Sequence, residues 1–347
     1  MFTSSNSTAP RVGEKSWFDW LVTFTGFWIT TGLFVDGWAH THGKVDDSFF
    51  TPYHGLLYSG LLAAGIVAAI VGYQNFKRGH RWFNVLPRGY ELLIPGVILF
   101  GIGGGFDLLW HTLFGIEDDI DALLSPTHLF LATSSTLITT AAFRAGWRKL
   151  SGRPKGLIEF LPTLLSFINA VLFLTFFTQF AHPIPNLFGG EALHKPDWLF
   201  MQMGVTGTML TMAILSGAIL FLVRRFILPW GSLTLLLGLN MVYMGAIFPD
   251  QPYPTLVVFI TLIGVLLADI LLELMRPSDS LGRMRLFAFL VPVSIQGFYF
   301  LGVSLVSNIW WTTHLWTGLI FMSGLVGLLV SYLVFPPNSS PAVAEKS

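Results

Sequence analysis

The chain has 347 residues, of which 53% are hydrophobic and 11% charged, and its nineteen basic and nineteen acidic side chains cancel to a net charge of zero; its mean hydropathy is +0.66. This composition excludes a soluble helical bundle, whose helices need charged faces, and gives no support to nucleic-acid binding, which needs a basic patch beyond short loops. The lack of cysteine excludes disulfides, thiolate metal sites, cysteine-ligated iron–sulfur clusters and thiol catalysis, so any metal must be held by oxygen, nitrogen or thioether sulfur.

Apolar runs long enough to cross ~30 Å of hydrocarbon recur from end to end, which predicts an all-α, polytopic transmembrane helix bundle. Ten helices are expected, at 17–38, 54–75, 91–114, 124–146, 158–181, 198–223, 228–248, 253–274, 285–307 and 312–335. They form five outward-facing hairpins with internal repeats. The first follows a polar stretch of some sixteen residues and does not read as a cleaved secretory signal.

The end of the first helix reads Asp36-Gly-Trp-Ala-His40, and the second opens with Thr51-Pro52-Tyr53-His54. The third carries Gly101-Ile-Gly-Gly-Gly105, small residues for close helix packing rather than a phosphate loop, and then Asp107-Leu-Leu-Trp-His111. The fourth opens with Ser125-Pro126-Thr127-His128. Equivalent residues of the two sets are offset by 71, 71 and 74 positions. One further step of 71 from His111 reaches His182, while the same step from Asp107 reaches Thr178, so the third hairpin reads as a degenerate copy that lost its carboxylate. Residues 1–150 therefore form the part with two intact sets, 156–336 a scaffold or partner-binding half, and 337–347 a disordered tail rich in Pro, Ser and Ala.

Lysine and arginine accumulate in cytoplasmic loops. With both termini on one side, that side holds seventeen of the nineteen, leaving only Lys44 and Lys195 opposite. The opposite loops carry Asp46, Asp47, Glu117, Asp118, Asp119, Asp121, Glu191, Asp197 and Asp250. The chain is thus expected in the cytoplasmic (inner) membrane as a multi-pass protein with both termini cytoplasmic, and with both Asp/His sets toward the periplasmic or extracellular side.

Residues four apart share a helix face, so Asp36 with His40, and Asp107 with His111, can converge on one ion. Proline favours the first helical turn, so Ser/Thr-Pro-x-His sets His54 and His128 just inside the neighbouring helix, facing the Asp/His pair. One carboxylate and two imidazoles suit copper, zinc or non-haem iron, with room left for water or substrate. A proton relay or structural pairing uses the same residues. No catalytic residue is assigned.

Other positions read less sharply. His42 is an alternative ligand or a solvated loop residue. His182, His194, Met201 and Met203 surround the third hairpin, where thioethers would suit Cu(I) but packing explains methionine as well. His314 sits among Trp310, Trp311 and Trp316 as part of an interfacial aromatic belt. His80 is expected to be solvated in a basic loop. Asp269 and Glu273 are expected to meet Arg276, Arg283 or Arg285, with proton entry the other reading. The acidic run from Glu117 to Asp121 is either a cation concentrator or a solvated loop.

The segment Asp36-Gly-Trp-Ala-His40, followed by Asp47-Ser48-Phe49-Phe50-Thr51-Pro52-Tyr53-His54 and Leu57-Tyr58, resembles the metal-site signature of the C subunit of copper membrane monooxygenases, the particulate methane and ammonia monooxygenases. The resemblance implies Asp36, His40 and His54 as copper ligands and, through the repeat, Asp107, His111 and His128. It also implies an oxidoreductase, or a monooxygenase-like subunit of one, using a quinol or small apolar substrate and working with other membrane subunits or as a homo-oligomer. This chain departs from the family in carrying the motif twice and in having more helices. The other classes to weigh are a copper-binding, copper-handling membrane protein without catalysis and a zinc-dependent membrane hydrolase.

Overall fold

A computed structural model describes residues 10–44, 51–81, 84–115, 119–150, 152–190, 197–247 and 253–337. The expectations placed on Asp46, Asp47, Glu117, Asp118, Glu191, His194, Asp250 and the tail from 338 lie outside them. The described residues form helices and no strand; the single β-bridge joins Gly190 and Ile309. Eight helices are long and apolar enough to cross a membrane.

Contacts divide the chain into two units, one of residues 1–180 with 239–251 and the other of 181–238 with 252–347. The first unit contains α1 (Ser16–Thr41), α2 (Pro52–Lys77), α3 (Leu93–Phe114), α4 (Asp119–Leu124), α5 (Pro126–Thr139), α6 (Ala141–Lys149) and α7 (Leu157–Phe177). Both Asp/His sets belong to it.

In lipid the hydrophobic effect does not drive helices together, so close packing must, and small residues permit it. A Cβ on Gly32 of α1 would lie 2.6 Å from the Leu57 Cα of α2, and one on Gly60 of α2 would lie 2.9 Å from the Ile29 amide of α1. The α3–α5 contact repeats the device, with Gly96 against Ile138 and Gly103 against Phe130. Of the glycine run, Gly103 and Gly104 serve close packing as expected, whereas Gly101 and Gly105 face open space. The opposite faces are apolar and exposed: Leu62, Ile66, Ile70 and Tyr73 on α2, and Ile98, Ile102, Phe106, Leu109 and Leu113 on α3. Helical backbones satisfy their own hydrogen bonds, so such faces suit hydrocarbon.

The expected fourth helix is two. Ser166 of α7 accepts from the Phe143 amide at 2.9 Å and donates to the Thr139 carbonyl at 2.6 Å. The side chain takes the place of the i→i−4 bond between Phe143 and Thr139, and the helix breaks at Thr140.

At the end of this unit away from the Asp/His sets, polar groups latch the helices. The Tyr90 hydroxyl donates to Asp19 at 2.6 Å, Lys149 meets the other Asp19 oxygen at 3.0 Å, and Arg148 meets Glu91 at 2.6 Å. Asn75 accepts from the Val12 amide and donates to the Val12 and Val85 carbonyls. His80, expected in solvent, is buried at 3% exposure, its amide bonded to the Asn75 carbonyl; the chain folds back over the end of α2 and covers it.

The second unit contains α8 (Pro183–Asn186), α9 (Trp198–Arg225), the start of α10 (Ser232–Gly245), α11 (Tyr253–Met275), α12 (Leu281–Val306) and α13 (Thr313–Val334). At 14 residues α10 is shorter than the expected 228–248. Asp269 was expected to meet an arginine. Instead it is buried and accepts from the Leu233 and Thr234 amides at 3.3 and 2.7 Å and from the Thr234 hydroxyl at 2.6 Å. A carboxylate that satisfies the orphan amides at a helix start offsets both its own burial and theirs. Arg283 pairs with Asp279, and Arg285 with the Ser331 hydroxyl and the Tyr332 ring.

Candidate metal centres

Each centre joins the C-terminal turns of one helix to the N-terminal turn of another. Asp36 and His40 lie four apart near the end of α1, and Asp107 and His111 four apart near the end of α3. In the Ser/Thr-Pro-x-His segments the structure gives every position a helical role. Thr51 and Ser125 are the N-caps, Pro52 and Pro126 open the helices, and each cap side chain accepts from the amide of the histidine three residues on, at 3.1 Å for His54 and 3.4 Å for His128. The cap thus fixes the backbone of the histidine itself.

In the first set Asp36 Oδ2 lies 3.9 Å from His40 Nε2 and 3.4 Å from His54 Nε2. In the second, Asp107 Oδ1 lies 3.7 Å from His111 Nε2 and 3.3 Å from His128 Nε2. Within each set the three donor atoms lie within 4.8 Å of one another. A metal with bonds of about 2.0–2.2 Å holds tetrahedral donors roughly 3.3–3.6 Å apart, so both sets have the dimensions to hold an ion.

The orientation of the imidazoles bears on what the sets can do. His128 Nδ1 bonds to the Ala122 carbonyl, and His111 Nδ1 to the Gly115 carbonyl at 3.2 Å. A carbonyl only accepts, so in both rings Nδ1 carries the proton, and in the neutral imidazole Nε2 presents a lone pair. Two lone pairs then face a carboxylate oxygen. Such an arrangement is repulsive until a cation or additional protons enter it. Asp36 Oδ1 is buried without a hydrogen-bond partner, which costs on the order of 1–3 kcal/mol or more for a charged group and is relieved by a cation at the carboxylate. Backbone carbonyls holding the remote ring nitrogen are a common second layer of histidine-ligated metal sites.

All six residues singled out by the motif are brought into the two sets. Thr127, Gly115 and Ala122 were not singled out. Thr127 stands beside the N-cap Ser125, their hydroxyls 3.4 Å apart, and the other two act through backbone carbonyls, which residue type does not reveal. Ala122 belongs to α4, a short helix in the connection between α3 and α5.

The remaining candidates do not join either set. His42 stacks on Trp38, with centroids 4.5 Å apart, and directs Nδ1 to the Trp38 carbonyl at 2.8 Å. His182, in the second unit, is buried and accepts from the Ile184 amide at 3.2 Å as the cap of α8. Its Pro-containing helix start echoes the other two, but no carboxylate accompanies it in a metal-sized group among the described residues. Met203 is exposed, Met201 half-buried, and His314 exposed in the first turn of α13.

No family model matches the chain, and no curated protein or solved structure matches it.

Proposed function

We propose that the protein is a multi-pass copper protein of the cytoplasmic membrane, an oxidoreductase or the membrane subunit of one, with its two Asp/His2 centres at the outer face. One observation carries the metal reading: in the second set both Nδ1 protons are committed to carbonyls, so two Nε2 lone pairs and a buried carboxylate oxygen converge where only a cation or added protons reconcile them. The resemblance of Asp36, His40 and His54 to the copper membrane monooxygenase signature selects copper from among the metals the donors suit. Copper bound there would supply a one-electron couple.

The residues divide the work. Three protein donors leave a position open for a small reactant. The first set is the more accessible, its carboxylate side chain 11% exposed against 2% for Asp107, which favours Asp36, His40 and His54 as the reactive centre and the second as the tighter, supporting one. The apolar faces of α2 and α3 offer a route from lipid for a quinol or small apolar substrate. The reading counts ten crossings in five outward hairpins, taking α5 with α6 as one span and the short α10 as another, with both termini cytoplasmic and other subunits or a second copy completing the enzyme.

Metal content measured with an electron paramagnetic resonance spectrum tests the reading. Two copper equivalents with Cu(II) signals are expected, falling to one in His54→Ala or His128→Ala. Reduced, copper-loaded membranes should consume oxygen with a quinol, more slowly in Asp36→Asn. Copper at both sets with no turnover in the presence of co-purifying subunits would instead make this a copper-handling protein. Two silent zinc equivalents would move it to hydrolysis, and no metal at all would leave a proton relay.

A further inference from the structure

At the end of the first unit away from the Asp/His sets, the connection after α2 gathers cations that no carboxylate meets. Residues 10–12 lie along it: Arg78 donates to the Pro10 carbonyl at 3.0 Å, Arg11 to the Asn84 carbonyl at 3.0 Å, and the Val12 amide to the Asn75 side chain at 2.7 Å. The Asn84 amide in turn donates to the Arg81 carbonyl at 3.1 Å. These bonds hold Arg11, Lys77, Arg78 and Arg81 in one patch, the last three exposed and Arg11 half-exposed. The carboxylates at this end are engaged elsewhere, Asp19 with Lys149, Glu91 with Arg148 and Glu159 with the Lys155 amide, and Glu14 pairs with none of the four cations among the described residues.

Cations at a helix C-terminus commonly serve its unpaired carbonyls. Here backbone amides do so: those of Arg78 and His80 go to the Asn75 carbonyl and that of Gly79 to the Phe76 carbonyl. Arg11 and Arg78 each commit one N–H to a carbonyl, and a guanidinium has five. Like charges gathered with donors to spare repel until an anion joins them, and the guanidinium fork fits phosphate.

The neighbouring surface says which phosphate. Leu62, Ile66, Ile70 and Tyr73 follow one another at steps of four, four and three along one face of α2, each between 49% and 64% exposed. The next step of four is Lys77, whose ammonium lies 4.7 Å from the Tyr73 ring centroid. At about 1.5 Å per residue the strip from Leu62 to Tyr73 is roughly half the ~30 Å of a bilayer's hydrocarbon, the depth of one leaflet. An apolar strip of that depth ending in unpaired cations matches a molecule with an acyl chain and an anionic head.

We propose that this patch holds an anionic phospholipid of the adjoining leaflet, its phosphate bridging Arg11 and Arg78 and an acyl chain lying along the α2 strip. The bound lipid pins residues 10–12 against the connection after α2. The site stands apart from both Asp/His sets and does not depend on what they bind.

The test is native mass spectrometry of the full chain in neutral detergent, titrated with phosphatidylglycerol and with phosphatidylcholine of the same acyl chains. The first phosphatidylglycerol should bind about tenfold or more tightly than phosphatidylcholine, as a cluster of cations at a membrane surface requires. Arg11→Gln with Arg78→Gln should remove most of that preference and leave phosphatidylcholine binding unchanged. Lys77→Gln with Arg81→Gln should act in the same direction, and it carries the test if the first pair fails to fold. Arg224→Gln with Arg225→Gln removes the same charge from the second unit and should leave the preference intact. Equal binding of the two lipids, or a preference lowered as much by the control pair as by the others, overturns the site. Displacement of the lipid by equimolar inorganic phosphate would show an anion site without a lipid and overturns it as well.

Discussion

His54 Nε2 stands 3.4 Å from Asp36 Oδ2, although the two residues belong to different helices and approach only because glycine lets those helices touch. Gly32 sits against Leu57, and Gly60 against Ile29. The same relationship recurs between His128 and Asp107 at 3.3 Å, again beside a glycine-lined contact, so the geometry of both Asp/His sets depends on packing well away from them.

Replacing Gly60 by leucine should therefore empty the first set without touching a ligand. The added side chain meets the Ile29 backbone, and overpacking of this kind costs roughly 1–3 kcal/mol or more. Metal analysis should find one equivalent, held by the second set. Two equivalents with unchanged spectra would show that the α1–α2 spacing does not govern the site.

The caps give a finer test. Thr51→Ala removes the acceptor that holds the His54 amide, costing about 1 kcal/mol of helix stability, and should weaken the first set by roughly tenfold, as loss of outer-layer partners does. Ser125→Ala should do less at the second set, because its bond to the His128 amide is longer, 3.4 against 3.1 Å, and His128 keeps its tie to the Ala122 carbonyl. Equal effects, measured by competition with a chelator of known affinity, would contradict this ordering.

In the second unit, Asp269→Ala should lower the unfolding temperature while leaving metal content at two equivalents. The substitution strands the Leu233 and Thr234 amides, and each buried group left unpaired costs on the order of 1–3 kcal/mol. Asp269→Asn, which keeps one acceptor, should cost less. An unfolding temperature unchanged in the alanine variant would remove the capping role.

The topology is open to direct labelling, since the chain has no cysteine of its own. Ser48→Cys should react with an impermeant reagent from outside and Gly79→Cys should not. The reverse pattern would place both centres at the cytoplasmic face.

What the sequence determined by itself was the helical, membrane-spanning character and the identity of the six converging side chains. Long apolar runs have few folds open to them in lipid, and helix periodicity puts residues four apart on one face; the expected 198–223 and 253–274 correspond to Trp198–Arg225 and Tyr253–Met275. Asp36 with His40, and Asp107 with His111, needed only that periodicity, and the capped Pro-x-His segments needed only helix-start chemistry. Tertiary structure decided the rest, because it depends on partners remote in the chain. Ser166 breaks the helix at Thr140 from 26 residues beyond, Asp269 caps a helix from 35 residues away rather than pairing with an arginine, and the fold over α2 buries His80. The carbonyls of Gly115 and Ala122 orient two imidazoles through backbone atoms that every residue type possesses, and the phenol end of Tyr58 rests against α3 only because Gly104, 46 positions later, has no side chain to exclude it.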